Sequence, residues 1–388
     1  MFEFSYTEDQ KILEDTVKKF TKNEIIPVCL EFENDVEGKL SDKIFEKAAK
    51  IGILGTVVPK EYGGAGGRGI EANIVLENLS YGDVGIGCAI GANWWAQTAL
   101  LMRGSQGLRD EWFPKFASTE KAHLCCMAAT EPSGGTDVED PAMGFKTVRT
   151  IAKIEGNEIV LNGRKMWPSN FDIASLYVVV CTTDPKLGEA GSLLLAVPAG
   201  TPGLSFGKNE LKMGHHADRN GEIIFDNVRV PKDNMLSKLG EGVKILDRTL
   251  IYNRVGPASM ALGAAQRAFD LALEFTKTRM VGGIPLYQHE LASAMLFDME
   301  TKLHAARLLW QRAAWVNMTT KGNIHYSHMA KVFATDAAME VASDAVELMG
   351  SYGYAKEYGV EKIMRDVKII QIYIGSNELI RSHAWRYL

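Results

Sequence analysis

Three stretches of this chain carry residue types that could do chemistry. The first is Ala129-Thr130-Glu131-Pro132-Ser133-Gly134-Gly135-Thr136-Asp137. The hydroxyls of Thr130 and Thr136, with the backbone N–H groups of a glycine-rich loop, can meet the polar edge of a flat cofactor. A Gly/Ser loop that simply opens a strand is the plainer alternative. The second is Gly163-Arg164-Lys165-Met166-Trp167-Pro168-Ser169-Asn170. Trp167 and Ser169 are two residues apart, so on a strand they project to one face. The ring can then cover a cofactor while the hydroxyl bonds it. A buried core tryptophan is the competing reading, and Pro168 argues for a local irregularity in the strand. The third is Arg365-Asp366, followed by Tyr373-Ile374-Gly375-Ser376-Asn377-Glu378. Its central residue, Ile374, is a hydrocarbon and cannot take a proton.

The elements that must position these stretches change character twice along the 388 residues, a length that allows two or three domains. Thr7 to Phe20 predicts a helix capped by Thr7, with Ile12, Leu13, Val17 and Phe20 on one face. Helical patterns recur at Phe45–Ile53, Glu71–Tyr81 and Ala89–Leu101. Between them, Gly64-x-Gly66-x-x-Gly69 matches a dinucleotide fingerprint in form only. No strand precedes it and no βαβ unit follows, so it reads as a glycine-rich turn between helices. From about Ala122 the apolar residues alternate or cluster in short runs: Thr147–Ile154, Glu158–Leu161, Leu176–Cys181, Ser192–Val197 and Glu222–Phe225. Turns are expected at Asn162-Gly163 and Pro202-Gly203. Helical periodicity returns from Gly240, over roughly 242–279, 287–317 and 324–349, with a last helix after Ser376. The expected fold is mainly α with a central β-domain: helical residues 1–121, a β-barrel-like middle domain over 122–233, and helical residues 234–388.

Composition excludes some functions. The net charge is -5 and no long Lys/Arg run occurs, which argues against a nucleic-acid partner. No apolar run approaches a membrane span. The N-terminus lacks the basic region and apolar core of a signal peptide. Five cysteines without metal-type spacing read as reduced thiols in a cytoplasmic protein, and no metal site is expected.

Taken in order, the three stretches resemble signatures of the acyl-CoA dehydrogenase family. The first resembles its Thr-Glu-Pro-x-x-Gly-Ser-Asp, the second its Gly-x-Lys-x-Trp-Ile-Thr-Asn, and the third its Arg-Asp and Tyr-Glu-Gly-Thr turn. Asn253-Arg254, Ala261-Leu-Gly-Ala-Ala-Gln266, Arg279 and Glu347-Leu-Met-Gly350-Ser351-Tyr-Gly353 extend the resemblance over essentially the whole chain. It implies a C-terminal four-helix bundle, FAD, an acyl-CoA substrate, a homotetramer, and an electron-transfer flavoprotein as acceptor. It also implies cofactor contacts at Thr130, Thr136, Trp167, Ser169, Arg279, Glu347, Ser351, Ser376 and Glu378. Arg279 matches the arginine that reaches the FAD diphosphate, usually from a neighbouring subunit. A solvated helix-end charge is its alternative. Gly282-Gly283 stands where the family has Phe-Gly.

The same resemblance puts the catalytic Glu of most members at Ile374. A second family position for that carboxylate is Asn253 here. A few relatives acting on alicyclic thioesters use a carboxylate on the helix near residues 88–96, yet no Asp or Glu occurs from Val84 to Arg109. A backbone N–H at Ile374, beside Gly375, can still hold a thioester carbonyl, because that role needs no side chain. Gly91, Trp94, Trp95, Asn253, Arg254 and Tyr373 are the expected substrate contacts. Trp94, Trp95 and Tyr373 point to a flat or cyclic acyl group, with aromatic core packing as the alternative. Three functions stay open: FAD-dependent oxidation of an unusual acyl-CoA, an alicyclic one being a candidate, with hydride transfer to flavin N5 and atypical proton removal; a non-oxidative acyl-CoA lyase or decarboxylase; and a non-catalytic acyl-CoA/FAD-binding protein.

Overall fold

The computed structural model describes residues 5–139 and 143–387. Helix α1 (Glu8–Phe20) starts where the sequence predicts. The Thr7 hydroxyl accepts the Gln10 N–H, and the Gln10 side chain accepts the Thr7 N–H, a reciprocal capping box. Ile12 is 65% exposed, so the buried stripe is narrower than expected and rests on Val17 and Phe20. Helices α2 (Lys39–Lys50), α3 (Gly69–Gly82), α4 (Val84–Arg103) and α5 (Gln106–Phe116) follow. The glycine-rich segment before α3 is a turn, as its pattern predicts. A Cβ on Gly64 would lie 2.2 Å from the Val58 carbonyl oxygen, so only glycine fits there. Helix α4 is buried along most of its length. A helix apolar all round must be enclosed by the rest of the protein.

The middle domain is a seven-stranded sheet. Its strands are β1 (Cys125–Ala128), β2 (Ile151–Glu155), β3 (Glu158–Ser169), β4 (Leu176–Thr182), β5 (Ser192–Pro198), β6 (Leu204–Asn209) and β7 (Asn220–Pro231), with the short α6 (Thr136–Glu139) after β1. The order is β1-β4-β2-β3-β7-β6, with β5 paired to β4. Every residue of β4 is buried, which its continuous apolar run anticipates. Asn162-Gly163 is not a turn. It lies inside β3, where the register against β7 shifts between Leu161 and Gly163. Gly163 has φ 147°, and a Cβ there would lie 2.6 Å from the Thr150 Cα. The turn-like dipeptide is a bulge that admits the neighbouring backbone. A second shift, between Met166 and Ser169, surrounds Pro168.

The C-terminal part contains α7 (Gly242–Asn253), α8 (Gly256–Thr278), a hairpin of β8 (Met280–Val281) and β9 (Ile284–Pro285), α9 (Glu290–Thr319), α10 (Ile324–Met349), α11 (Ser351–Tyr354), α12 (Val360–Ile370) and α13 (Asn377–Ser382). The periodicity read as one pattern over 242–279 is two helices, broken at Arg254-Val255. Helix α12 was not separated from the final segment by sequence alone. Helices α8, α9, α10 and α12 share one core, which holds the fully buried Trp310 and many alanines, among them Ala261, Ala268, Ala306, Ala334 and Ala342. Small side chains let the helices approach closely around one large ring. Gly282-Gly283 fills the two-residue hairpin loop with φ 55° and 88°, which two glycines adopt without strain. No helix among the described residues is long and apolar enough to cross a membrane.

One buried ion cluster joins the three domains. Lys362 of α12 donates to Asp83 at 2.6 Å and to Asp366 at 2.6 Å. Asp83 also caps α4, accepting the Ile86 N–H. Asp366 accepts the His215 backbone N–H of the middle domain at 2.7 Å. Burial opposes charge on Lys362, but the two carboxylates outweigh it and raise its pKa. Removing the cation alone would strand two buried carboxylates. Lys362→Met is therefore expected to destabilise the protein by about 3–5 kcal/mol in urea unfolding. A loss below about 1 kcal/mol would show that the cluster does not carry the domain junction.

Candidate active site

A cavity of about 1050 Å3 lies where the domains meet. Helix α4 lines it with Gly91, Trp94 and Trp95, the segment after β1 with Thr130 and Thr136, and β3 with Trp167 and Ser169. Asn253 from the end of α7, and Tyr373 and Ile374 from the turn after α12, complete this set. The expected residues Arg254, Gly375, Arg279, Glu347, Ser351, Ser376 and Glu378 are not in the wall. Arg279 is exposed at the end of α8, its guanidinium 5.9 Å from the Tyr352 ring centroid. Glu347, Ser351 and Glu378 are also exposed. The Ser376 hydroxyl caps α13 by accepting the Leu379 N–H at 3.1 Å.

Two buried cations fasten the turn at 371–377. Arg254 Nε donates to the Ile374 carbonyl at 2.8 Å, and Arg254 Nη1 meets His328 Nε2 at 2.7 Å. Lys331 Nζ donates to the carbonyls of Gln371 and Gly375 and to Asn377 Oδ1, at 3.1, 2.8 and 2.7 Å. The carbonyl side of the turn is thus taken up by protein donors. The N–H groups of Ile374 and Gly375 have no acceptor among the described residues. Ile374 has φ 55°, a conformation that disfavours a β-branched residue. Such strain costs about 1–3 kcal/mol and persists only where the surroundings enforce it. Trp167, Asn170 and His215 also have positive φ, at 72°, 61° and 54°. Of these four, Ile374, Trp167 and His215 line the cavity. Asn170 is buried and donates to the Ala89 carbonyl at 2.9 Å, tying the end of β3 to α4.

Some motif residues act as braces. Lys165 and Glu131, fully buried, pair at 2.8 Å, and Lys165 also donates to the Ala129 carbonyl at 2.9 Å. Glu131 further accepts the N–H groups of Arg149 and Thr150 at 2.6 and 3.0 Å. This ties the loop after β1 to β3, so the first two stretches hold each other in place. Trp94 and Trp95 are core residues that edge the cavity. Their indole N–H groups are satisfied by the Leu54 carbonyl at 3.1 Å and by Thr249 Oγ1 at 2.8 Å.

Sequence reasoning missed Cys88, Lys212, His215 and Asp218, all in the wall. One ligand-type atom each from Cys88, His215 and Asp218 lies within 4.8 Å of the others, and all three residues are buried. Burial raises the pKa of Asp218 and lowers that of His215 to about 3. Lys212, His215 and Asp218 lie in a polar loop before β7 and Cys88 on an apolar helix, so neither segment sets them apart in the sequence.

Family models for acyl-CoA dehydrogenase match the N-terminal domain over residues 7–120, the middle domain over 126–228 and the C-terminal domain over 240–387. The chain is 36% identical to cyclohex-1-ene-1-carbonyl-CoA dehydrogenase of Geobacter metallireducens, covering 98% of each chain. It is 35% identical to the enzyme of that name from Syntrophus aciditrophicus, covering 98% of this chain and 90% of that one. Among solved structures, a chain described under the electron transferring flavoprotein of Acidaminococcus fermentans superposes with a TM-score of 0.93 and 36% identity, covering 100% and 99%.

Two histidines at the site set an acid limit. His328, like His215, is held near pKa 3, chiefly by burial and then by the Arg254 charge. Below about pH 6.5 the unfolded chain binds protons on these histidines that the folded chain refuses. Stability is therefore expected to fall on acidification from about pH 6.5, by up to about 1.4 kcal/mol per pH unit for each histidine. In urea unfolding as a function of pH, His328→Gln should remove one such increment of slope. An unchanged slope would mean that His328 is charged in the folded protein.

Proposed function

Because this chain belongs to the acyl-CoA dehydrogenase family, we propose that it oxidises an alicyclic acyl-CoA thioester, with hydride transfer to flavin N5 and loss of the proton to a group other than residue 374. Family membership gives the coarser activity: its homologues are FAD-dependent flavoproteins that oxidise acyl-CoA at CH–CH bonds. The observation that carries the finer reading is the turn at Ile374. Its backbone is pinned by Arg254 and Lys331 in a left-handed conformation, with two N–H groups uncommitted, while its side chain is a hydrocarbon. A carbonyl-polarising device is retained and the proton acceptor is not. The two relatives named for a cyclohexene thioester support a cyclic acyl group.

The residues present fit FAD. Trp167 leaves 52% of its surface open beside the hydroxyls of Thr130 and Thr136. A Cβ on Gly135 would come within 2.8 Å of the Thr130 side chain, so the glycine keeps that hydroxyl accessible. When bound, FAD supplies the two-electron acceptor. Thr130, Thr136, Trp167 and Ser169 would hold its flavin half. Arg279, Glu347, Ser351, Ser376 and Glu378 would serve the rest from outside this wall. Arg279 and Ser351 lie on an open surface flanking Tyr352, which suits a cofactor shared with a neighbouring copy in a homotetramer. Leu291 and Phe297 on α9 are 83% and 69% exposed, apolar surface that such an assembly would cover. A cytoplasmic setting and an electron-transfer flavoprotein as acceptor complete the proposal.

Anaerobic addition of cyclic and straight-chain acyl-CoA thioesters tests it. Flavin bleaching by a cyclohexane- or cyclohexene-carbonyl-CoA is the expected result. Product without bleaching would indicate a lyase or decarboxylase, and neither would indicate a binding protein. Ile374→Glu restores a carboxylate at the turn. It should raise flavin reduction by butyryl-CoA by about 10²-fold or more, the usual contribution of a positioned base. No gain would overturn the assignment of this turn.

A further inference from the structure

A site that binds a thioester carbonyl still needs a destination for the proton. Among the described residues of the cavity wall, Asp218 is the only carboxylate. It sits between β6 and β7, in a turn closed by its own N–H bonding to the His215 carbonyl at 3.0 Å. That turn is anchored at His215 by Asp366, and Gly214 passes so close that a Cβ would lie 2.6 Å from Asp366 Oδ1. Helix α4 backs it: a Cβ on Gly85 would lie 3.0 Å from the Asp218 nitrogen. One carboxylate oxygen, Oδ2, accepts the Ser169 hydroxyl at 2.8 Å and the Asn220 amide at 3.2 Å. The other, Oδ1, is buried without a partner, as are His215 Nε2 and the Tyr373 hydroxyl. Three orphaned polar atoms on one wall are costly unless a ligand or water meets them.

The geometry points to Asp218 as the proton acceptor that replaces the missing carboxylate of the turn, its Oδ1 taking a proton from the acyl group. The C–H bond breaks and its electron pair stays on the acyl fragment, delocalised into the thioester carbonyl. The proton forms an O–H bond on Asp218, which becomes a neutral carboxyl. The Ile374 N–H meets the oxygen that gains charge. The Ser169 and Asn220 donors fix the rotamer, leaving Oδ1 as the free basic site. Burial raises the Asp218 pKa, which makes its carboxylate a stronger base than an exposed one. The ionisable groups around it are Lys212 and His215 on its own segment, Cys88 on α4, whose thiol faces the carboxylate, Asp83 capping that helix, Lys362 and Asp366 on α12, and Tyr373 on the turn. Of these, the Lys212 ammonium donates to the Asp218 carbonyl and to Asn220, and favours the ionised carboxylate. This inference rests on the proposed thioester oxidation, and supplies the residue that reading lacks.

The test is solvent-deuterium uptake into cyclohexanecarbonyl-CoA and cyclohex-1-ene-1-carbonyl-CoA, incubated anaerobically with the holoprotein in D2O and recovered for mass spectrometry. Uptake reports proton transfer separately from flavin reduction. Wild-type protein should exchange, at a rate rising with pH above the ordinary carboxylate range. Asp218→Asn should slow exchange by about 10²–10⁴-fold, the span of general-base contributions, with FAD content unchanged. If Asp218→Asn does not fold, the wild-type pH profile decides: a profile without the rise overturns the inference. So does exchange retained in folded Asp218→Asn, or one tightly bound zinc per chain that this variant loses, since the carboxylate would then be a ligand. Bleaching without exchange also overturns it and leaves the oxidation standing. Neither bleaching nor exchange with any thioester removes the underlying reading itself.

Discussion

The ammonium of Lys362 sits, almost without solvent, between Asp83 at the start of α4 and Asp366 one turn along α12. Through Asp83 it fixes where the cavity-lining helix begins. Through Asp366 it fixes the His215 backbone, and with it the loop that carries Lys212 and Asp218. Each domain thus contributes one wall, and the walls are referenced to the same buried charge. Burying three charges is expensive in isolation, and apolar packing could match the stability. What apolar packing would not supply is direction. Hydrogen bonds of 2.6–2.7 Å define the angles at which the three segments meet.

A second set of buried cations works on the carbonyl side of the turn at 371–377. Arg254 and Lys331 take up the carbonyls of Gln371, Ile374 and Gly375, so the backbone there is held whatever side chain it carries. This separates two roles that one residue can combine. In the proposed function, carbonyl binding is assigned to the peptide and survives replacement of the side chain, whereas proton transfer needs a side chain and is lost with it. A β-branched residue is a poor choice for φ 55° on conformational grounds, so Ile374 is kept there by the anchoring of the turn and not by local preference.

The large periodicities were legible in the sequence. Thr7 and the apolar face through Val17 and Phe20 announced α1, the apolar run Leu176–Cys181 announced a strand, and the change at Ala122 announced the sheet. Local readings failed where tertiary contact decided. Asn162-Gly163 has the composition of a hairpin turn, yet the approach of Thr150 turned it into a bulge inside a long strand. Helix α12 was hidden because Lys362 and Asp366 look like a solvated face. They are buried only because Asp83, far away in sequence, lies opposite. The wall residues Thr130, Trp167, Ser169 and Tyr373 came from recognisable stretches. Glu131 and Lys165 belong to the same stretches but hold the loop, which spacing alone does not distinguish from chemistry.

Asp218 was missed for a related reason. No pattern within its own segment sets it apart from an ordinary loop aspartate, and its place in the wall beside α4 is visible only in the fold. Two segments distant in sequence, the loop before β7 and helix α4, present side chains to the same few ångströms of space, as the convergence of Cys88, His215 and Asp218 records. A carboxylate supplied from either segment therefore faces the same ligand volume. The position of a base on a scaffold like this is constrained by the distance to the acyl carbons and by the need to be sheltered from water. It is not constrained to one point in the chain. Once the carbonyl is held by backbone N–H groups, the element that contributes the carboxylate is free to change.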